Sequence, residues 1–218
     1  MGVNRRAFLA SAGALTGTAL AGCSEVNIDE PLRFESTPAY ISDSVLEETG
    51  YEERDRDEIR IQRSFDVGGD DRTVTVTNQL VTYEQSVTTE VSVPEELSNS
   101  VFATVTTPSI ELLGQELNPV AEMSNEELIE EAGDQFGRIE NIEISGEAEI
   151  TILGEATTRT QFSAETQLAD ANVDVYLHVN NPVKRDEEFV SGVGVHPQRL
   201  PAEEAAIRKM FGGIESGG

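Results

Sequence analysis

The sequence predicts an α+β fold, a mostly antiparallel sheet of about six to seven strands with two to three helices packed on it. Three observations predict it. Thr- and Val-rich stretches with period-two alternation recur from residue 58 onward, separated by short turn signals. Three stretches instead carry caps, and two of those a helical apolar stripe. The 218 residues, less a leader described below, suit one domain with a real core.

In chain order, Ser44 followed by Glu47 forms a capping box, and Gly50 stops the turn, which predicts a short helix over 44–49. "EIRIQRSFDV" places Ile59, Ile61, Phe65 and Val67 as the apolar members of a half-buried strand. "GGDD", 68–71, is the turn, and "RTVTVTNQLVTYEQSV" returns as the second arm of a long hairpin. "VFATVTTPSIEL" is a further strand, ended or bulged near Pro108. "SNEELIEEAGDQFG", 124–137, is the clearest helix: Ser124 and Glu127 cap it, Leu128, Ile129, Ala132 and Phe136 share a face, and Gly137 ends it.

"EISGEAEITILGEATTRTQFSAETQL" reads as two strands joined at Gly154. "VDVYLHV" sets Val173, Val175, Leu177 and Val179 on one face, and "EFVSGVGVH" puts Val193 and Val195 in line after Phe189. In "PAEEAAIRKMFGG", Pro201 starts a helix, Glu203 and Glu204 occupy its first turn, Arg208 and Lys209 its last, and Gly212 follows it. Ala206, Ile207, Met210 and Phe211 are its expected buried stripe. Short turns between strands imply antiparallel pairing.

The start of the chain reads as processing signal. Arg5 and Arg6 are the only charges in the first 24 residues, and the uncharged run Phe8–Gly22 is 15 residues long. A bilayer span needs roughly 20. A charged start, an apolar middle and a small-residue end describe an export signal. Arg5 and Arg6, followed by Phe8 and Leu9, resemble a twin-arginine signal, which implies export of an already folded protein. Leu20, Ala21, Gly22 and Cys23 resemble a lipobox, which implies cleavage before Cys23 and a lipid on its thiol. The expected organisation is a signal peptide over 1–22, a lipidated tether over 23–31 and one α+β domain over 32–214. The expected location is the extracellular face of the cell membrane. Cys23 is the only cysteine, so no disulfide forms within the chain.

Removing residues 1–22, which hold two arginines and no acid, takes the formal charge from −26 to −28. The acids are dispersed along the chain, and only Lys184 and Lys209 are lysines. Such self-repulsion destabilises a compact state in dilute buffer and is screened in molar salt, where the Debye length is roughly 3 Å. Adaptation to a hypersaline medium is the expectation. A basic stripe for nucleic acid is missing from the sequence.

Catalytic patterns are sparse. His178 and His196 are the only histidines, without HxH or HExxH spacing, and both are read as surface residues. A metal site would need both to converge with a carboxylate, and none is expected; nor is a cofactor. Glu47–Glu48, Glu95–Glu96 and Glu187–Glu188 sit in polar stretches and read as solvated faces rather than an acid/base pair. No G-x-S-x-G elbow occurs, and "DVGGDD" matches neither a phosphate loop nor a calcium loop. Two stretches, "LLGQELNPVAEMS" (112–124) and "YEQSV" (83–87), are candidate ligand- or partner-contacting loops, with packed connections as the plainer reading.

The leader together with "LRFESTPAYISDSVLEETGYEE", "ELLGQELNPVAEMSNEEL" and "VDVYLHV" resembles a haloarchaeal family of twin-arginine-exported lipoproteins of unknown function, over essentially the whole chain. That resemblance implies an address and a salt habit and supplies no catalytic residue. The order hairpin, strand, helix, meander, final helix is more distantly similar to the PsbP-like sandwich, whose members are often accessory subunits at membrane complexes; a fold does not fix a function. The expected function is a non-enzymatic envelope lipoprotein that binds a protein partner or a small ligand, attached to membrane lipid through Cys23. The alternative is an anchored hydrolase with an unrecognised Asp, Glu or His site.

Overall fold

The computed structural model describes residues 32–67, 70–86, 99–112, 115–116, 125, 139–168 and 171–217. The chain divides into a unit over 1–30, which lies outside those residues, and a second unit, Pro31–Gly218.

The second unit is more sheet-rich than its sequence suggests. Its elements are β1 (Leu32–Glu35), β2 (Ala39–Ile41), α1 (Asp43–Thr49), β3 (Glu52–Val67), β4 (Asp70–Ser86), β5 (Asn99–Pro108), β6 (Glu111–Leu112) and β7 (Gln115–Glu116), then β8 (Ile139–Ile152), β9 (Glu155–Leu168), β10 (Ala171–Asn180), β11 (Val183–Arg185), β12 (Glu188–Pro197), α2 (Glu203–Gly212) and β13 (Ile214–Ser216). Nine strands form one mixed sheet, in the order β3, β4, then β1 and β5, then β12, then β10 and β11, then β9 and β8. β1 runs parallel to β4 in the register Leu32↔Val74, and the other pairs in the sheet are antiparallel. β2 and β13 form a separate two-stranded ribbon, as do β6 and β7.

β3 and β4 form the long hairpin that the alternation predicts, paired from Glu52↔Glu84 to Val67↔Asp70. β8 and β9 meet at a two-residue turn with Leu153 at φ 52° and Gly154 at φ 85°, the left-handed pair that suits a tight hairpin. The helix expected over 124–137 lies outside the described residues except for Asn125.

Helix α1 covers its predicted span but starts one residue earlier, at Asp43, and Gly50 stops it at φ 75° with its N–H on the Leu46 carbonyl. Its cap differs. Ser42 is the N-cap, without a side-chain cap bond, and Ser44 lies inside the first turn. Helix α2 likewise starts at Glu203, not at Pro201, and Gly213 rather than Gly212 follows it. The turn between Pro197 and Glu203 accounts for the shift: Leu200 N–H donates to Pro197 and Glu203 N–H to Leu200.

The core lies on both sheet faces. Against one face pack α1, α2 and the β2–β13 ribbon, with Tyr51, Val81, Tyr83, Phe102, Ile207, Met210 and Phe211 buried there. The α2 stripe is as predicted for Ile207, Met210 and Phe211; Ala206 is only partly buried, and Glu203 joins the buried set. Glycines on β12 set how closely α2 approaches. A Cβ on Gly194 would stand 2.7 Å from Ile207 Cγ2, and one on Gly192 would stand 2.8 Å from Phe211 Cε1. In that space Phe102 meets Phe211 edge to face, with ring centroids 5.0 Å apart. On the opposite face Phe162, Ala164, Val173, Val175, Leu177 and Val179 are buried, as the alternation in β10 predicts. Asn125 reaches this region, donating from Nδ2 to Thr160 Oγ1 at 2.9 Å.

Candidate functional site

Period-two alternation turns His178 away from the valine face of β10, and the register sets it opposite Gly194. His196 stands opposite Tyr176 two residues further along β12. α2 lies along β12 here: Phe211 contacts Gly192, Ile207 contacts Gly194, and the first turn follows toward the Pro197 end. The expectation of surface histidines is therefore wrong, since both have 0% of their surface exposed. Alternation reported which way the side chain points and not that a helix covers that side.

The two histidines form one hydrogen-bonded unit. Their Nε2 atoms are 3.1 Å apart, and their rings stack with centroids 5.2 Å apart and planes 12° from parallel. His178 Nδ1 lies 3.3 Å from Arg159 Nη1, and His196 Nδ1 lies 3.1 Å from the Pro197 carbonyl. Chemistry assigns every hydrogen. A guanidinium only donates, so His178 Nδ1 accepts and its Nε2 carries the hydrogen. A carbonyl only accepts, so His196 Nδ1 carries its hydrogen and its Nε2 accepts from His178. The result is a one-way chain from Arg159 to His178 to His196 to Pro197.

The surroundings hold this chain neutral. Burial first, then Arg159, His196 and Arg208, push His178 down to about 3. Burial also lowers His196, against the pull of the Pro197 carbonyl and Glu204. Arg159, 5% exposed, is itself lowered by burial, and it meets the Glu204 carboxylate at 3.9 Å. Beside the pair a second polar group lies inside. The Ser100 hydroxyl meets the Tyr51 hydroxyl, donates to the Val195 carbonyl at 3.2 Å and lies against Glu203. Burial raises both Tyr51 and Glu203 above their ordinary values.

Two imidazole nitrogens 3.1 Å apart are spaced as two ligands of one zinc ion would be. His178 Nε2, however, carries a hydrogen because Arg159 occupies its other nitrogen. Among the described residues no group of three His, Cys, Asp or Glu is arranged to hold a metal ion.

The remaining candidates fall in three places. Arg5, Arg6, Phe8, Leu9, Leu20, Ala21, Gly22 and Cys23 lie outside the described residues, as do Gly68, Gly69 and Glu95–Glu96. So does most of 112–124. Residues 83–86 of "YEQSV" are not a loop but the end of strand β4, where Tyr83 is buried with its hydroxyl accepting from Ile41 N and Gln85 donates to Thr49 O; Val87 lies outside the described residues. Of the acid pairs, Glu48 meets Lys209 at 2.6 Å at the surface, and Glu188 accepts from Thr37 N at 2.6 Å. Among the described residues no helix is long and apolar enough to cross a membrane.

Residues 38–215 match the DUF6517 family, a domain of unknown function, and the chain belongs to that family. No curated protein matches its sequence. Two solved structures are distantly similar. PA94, a protein of unknown function from Pseudomonas aeruginosa, is 13% identical with a TM-score of 0.32, covering 66% of this chain and 90% of its own. CyanoP, the cyanobacterial PsbP of Synechocystis sp. PCC 6803, is 10% identical with a TM-score of 0.36, covering 91% of this chain and 99% of its own. Likeness at that level carries no argument about function.

Proposed function

We propose that this DUF6517 chain is a haloarchaeal lipoprotein, exported folded by the twin-arginine route and held on the outer face of the cell membrane by a lipid on Cys23. There it binds an envelope protein or a small ligand and turns over no substrate. The observation that carries the reading is the position of the domain boundary. The compact unit begins at Pro31, the eighth residue after Cys23. Eight residues span at most about 30 Å, so a lipid on Cys23 would keep the domain next to the membrane. Each buried CH₂ of the lipid contributes roughly 0.8 kcal/mol, and two chains suffice for stable attachment. A twin-arginine leader ending in a lipobox supports the same reading.

The chemistry of the interior supports binding over turnover. The two histidines converge, as a hydrolase reading would want, but each is fully buried with both ring nitrogens engaged. Salt adaptation is supported by exposed acids such as Glu52, Glu53, Asp55, Asp57 and Glu58 along β3. A sandwich with cover on both sheet faces, in the manner of PsbP-like proteins, is our reading of the fold beyond the described helices; Asn125 supports it.

Crosslinking in intact cells at native salt, followed by capture and mass spectrometry, tests the binding role. Repeated recovery of one membrane complex supports it, and a protein that comes back alone with no ligand counts against it. Cys23→Ser should release the protein from membranes, and continued attachment would mean an uncleaved leader helix. Dialysis from molar salt into dilute buffer should lower Tm sharply; an unchanged Tm would undermine the hypersaline reading.

A further inference from the structure

We propose that the His178–His196 pair is an acid-operated latch on helix α2: taking up protons opens the first turn of α2 and the 198–202 segment while the β3–β4 hairpin stays folded. The geometry carries it. In the neutral pair each of the four ring nitrogens has one complementary partner. A further proton on His178 Nδ1 would face the Arg159 N–H at 3.3 Å. A further proton on His196 Nε2 would face the His178 N–H at 3.1 Å. Turning a protonated ring over does not help, because both of its nitrogens then donate.

Most of the groups around the pair oppose the added charge; Glu204 and the Pro197 carbonyl favour it, at His196, and are outweighed by burial. β9 contributes Arg159, another cation, and α2 contributes Arg208, which also disfavours a charged His178. Of the carboxylates on α2, Glu204 is partly exposed and sits beside Arg159, and Glu203 is pushed toward its neutral form by burial. β10 supplies Tyr176 against His196, while Ser100 of β5 and Tyr51 supply uncharged hydroxyls nearby. An imidazolium here gains a partner only by meeting water, and the cheapest opening is the nearest one. Further along α2, Ile207 and Phe211 are seated on Gly194 and Gly192 and resist lifting. The 198–202 segment is held at its start by Gln198, whose N–H donates to Asp174 O at 2.9 Å and whose Nε2 donates to Val175 O at 3.1 Å.

The test uses the full chain in molar NaCl between pH 7 and 5, above the range where most carboxylates titrate. Nitrogen NMR of the imidazoles should show His178 protonated at Nε2 and His196 at Nδ1, and neither ring should titrate as an exposed histidine does. Amide hydrogen exchange, corrected for intrinsic rates, should show opening at Gln198 and in the first turn of α2 growing up to about 100-fold per pH unit, tenfold for each proton taken up. Amides of β3 and β4, strands without histidine, serve as the control in the same molecule and should change far less. His196→Gln keeps an acceptor for His178 and should cut the steepness to about tenfold per pH unit. Rings that titrate independently near 6.5 would overturn the latch, and so would α2 and hairpin amides that open together with one slope. Both readings come from the unsubstituted protein, so they stand even if the variant does not fold.

Discussion

Along β3, Arg54, Arg56 and Arg60 meet Glu84, Glu53 and Glu58 at the surface, the last two pairs at 2.6 Å. Beneath α2, Arg159 meets Glu204 only at 3.9 Å, yet it is almost wholly buried and donates to a histidine. The shorter contacts are the weaker ones. Exposed pairs exchange one good environment, water, for another, and molar salt screens what remains. In the interior water is no alternative, so a misplaced proton or a lost partner costs its whole desolvation. Charge is abundant at the surface of this protein and inconsequential pair by pair; inside it is scarce and decides which protonation states the fold tolerates.

Acid should break this comparison most. His178 is held near 3 in the fold against about 6.5 in the unfolded chain, so unfolding takes up a proton between those values. The contribution to stability is fully present above pH 6.5 and is lost as pH falls toward 3, at about 1.4 kcal/mol per pH unit. Glu203 works the other way, because a carboxyl raised in the fold favours folding in acid. Denaturant midpoints at fixed high salt read the sum, and a midpoint that rises from pH 7 to 5 would contradict a His178 held neutral in the fold. Next in size, Phe211→Ala removes a fully buried ring from between Gly192 and Phe102 and should cost about 3–5 kcal/mol in the same experiment. A loss below 1 kcal/mol would mean that α2 does not rest on β12 as described.

Gly194→Ala should cost about 1–3 kcal/mol, since the added methyl would have to displace Ile207. A neutral result would show a looser helix seat. Smallest of all, Arg60→Ala at the surface should leave the midpoint unmoved within error in molar salt. A clear loss there would make the hairpin's ion pairs more than solvated decoration.

Much of this fold was legible in the sequence because it rests on short-range rules. The β3–β4 hairpin follows from alternation broken by "GGDD", the β8–β9 turn from Gly154, and the α2 stripe from the spacing of Ile207, Met210 and Phe211. β1 and β2 escaped notice, being only four and three residues long. Such strands exist because β4 and β13 pair with them, and no local pattern of their own requires them. Ser44 and Pro201 carry genuine start signals, yet each helix begins elsewhere, where the preceding turn allows its first hydrogen bond.

The interior site shows the same division more sharply. The sequence by itself determined that His178 points away from the valine face of β10, that α2 has an apolar stripe, and that the surface is acidic. Only the tertiary structure decided that α2 lies on the histidine side of the sheet, and that β9 brings Arg159 to His178 from nineteen positions away. Direction along a strand is set by the alternation of one backbone. Burial, tautomer and proton affinity are set by what other segments place opposite, and that depends on contacts between residues far apart in the chain.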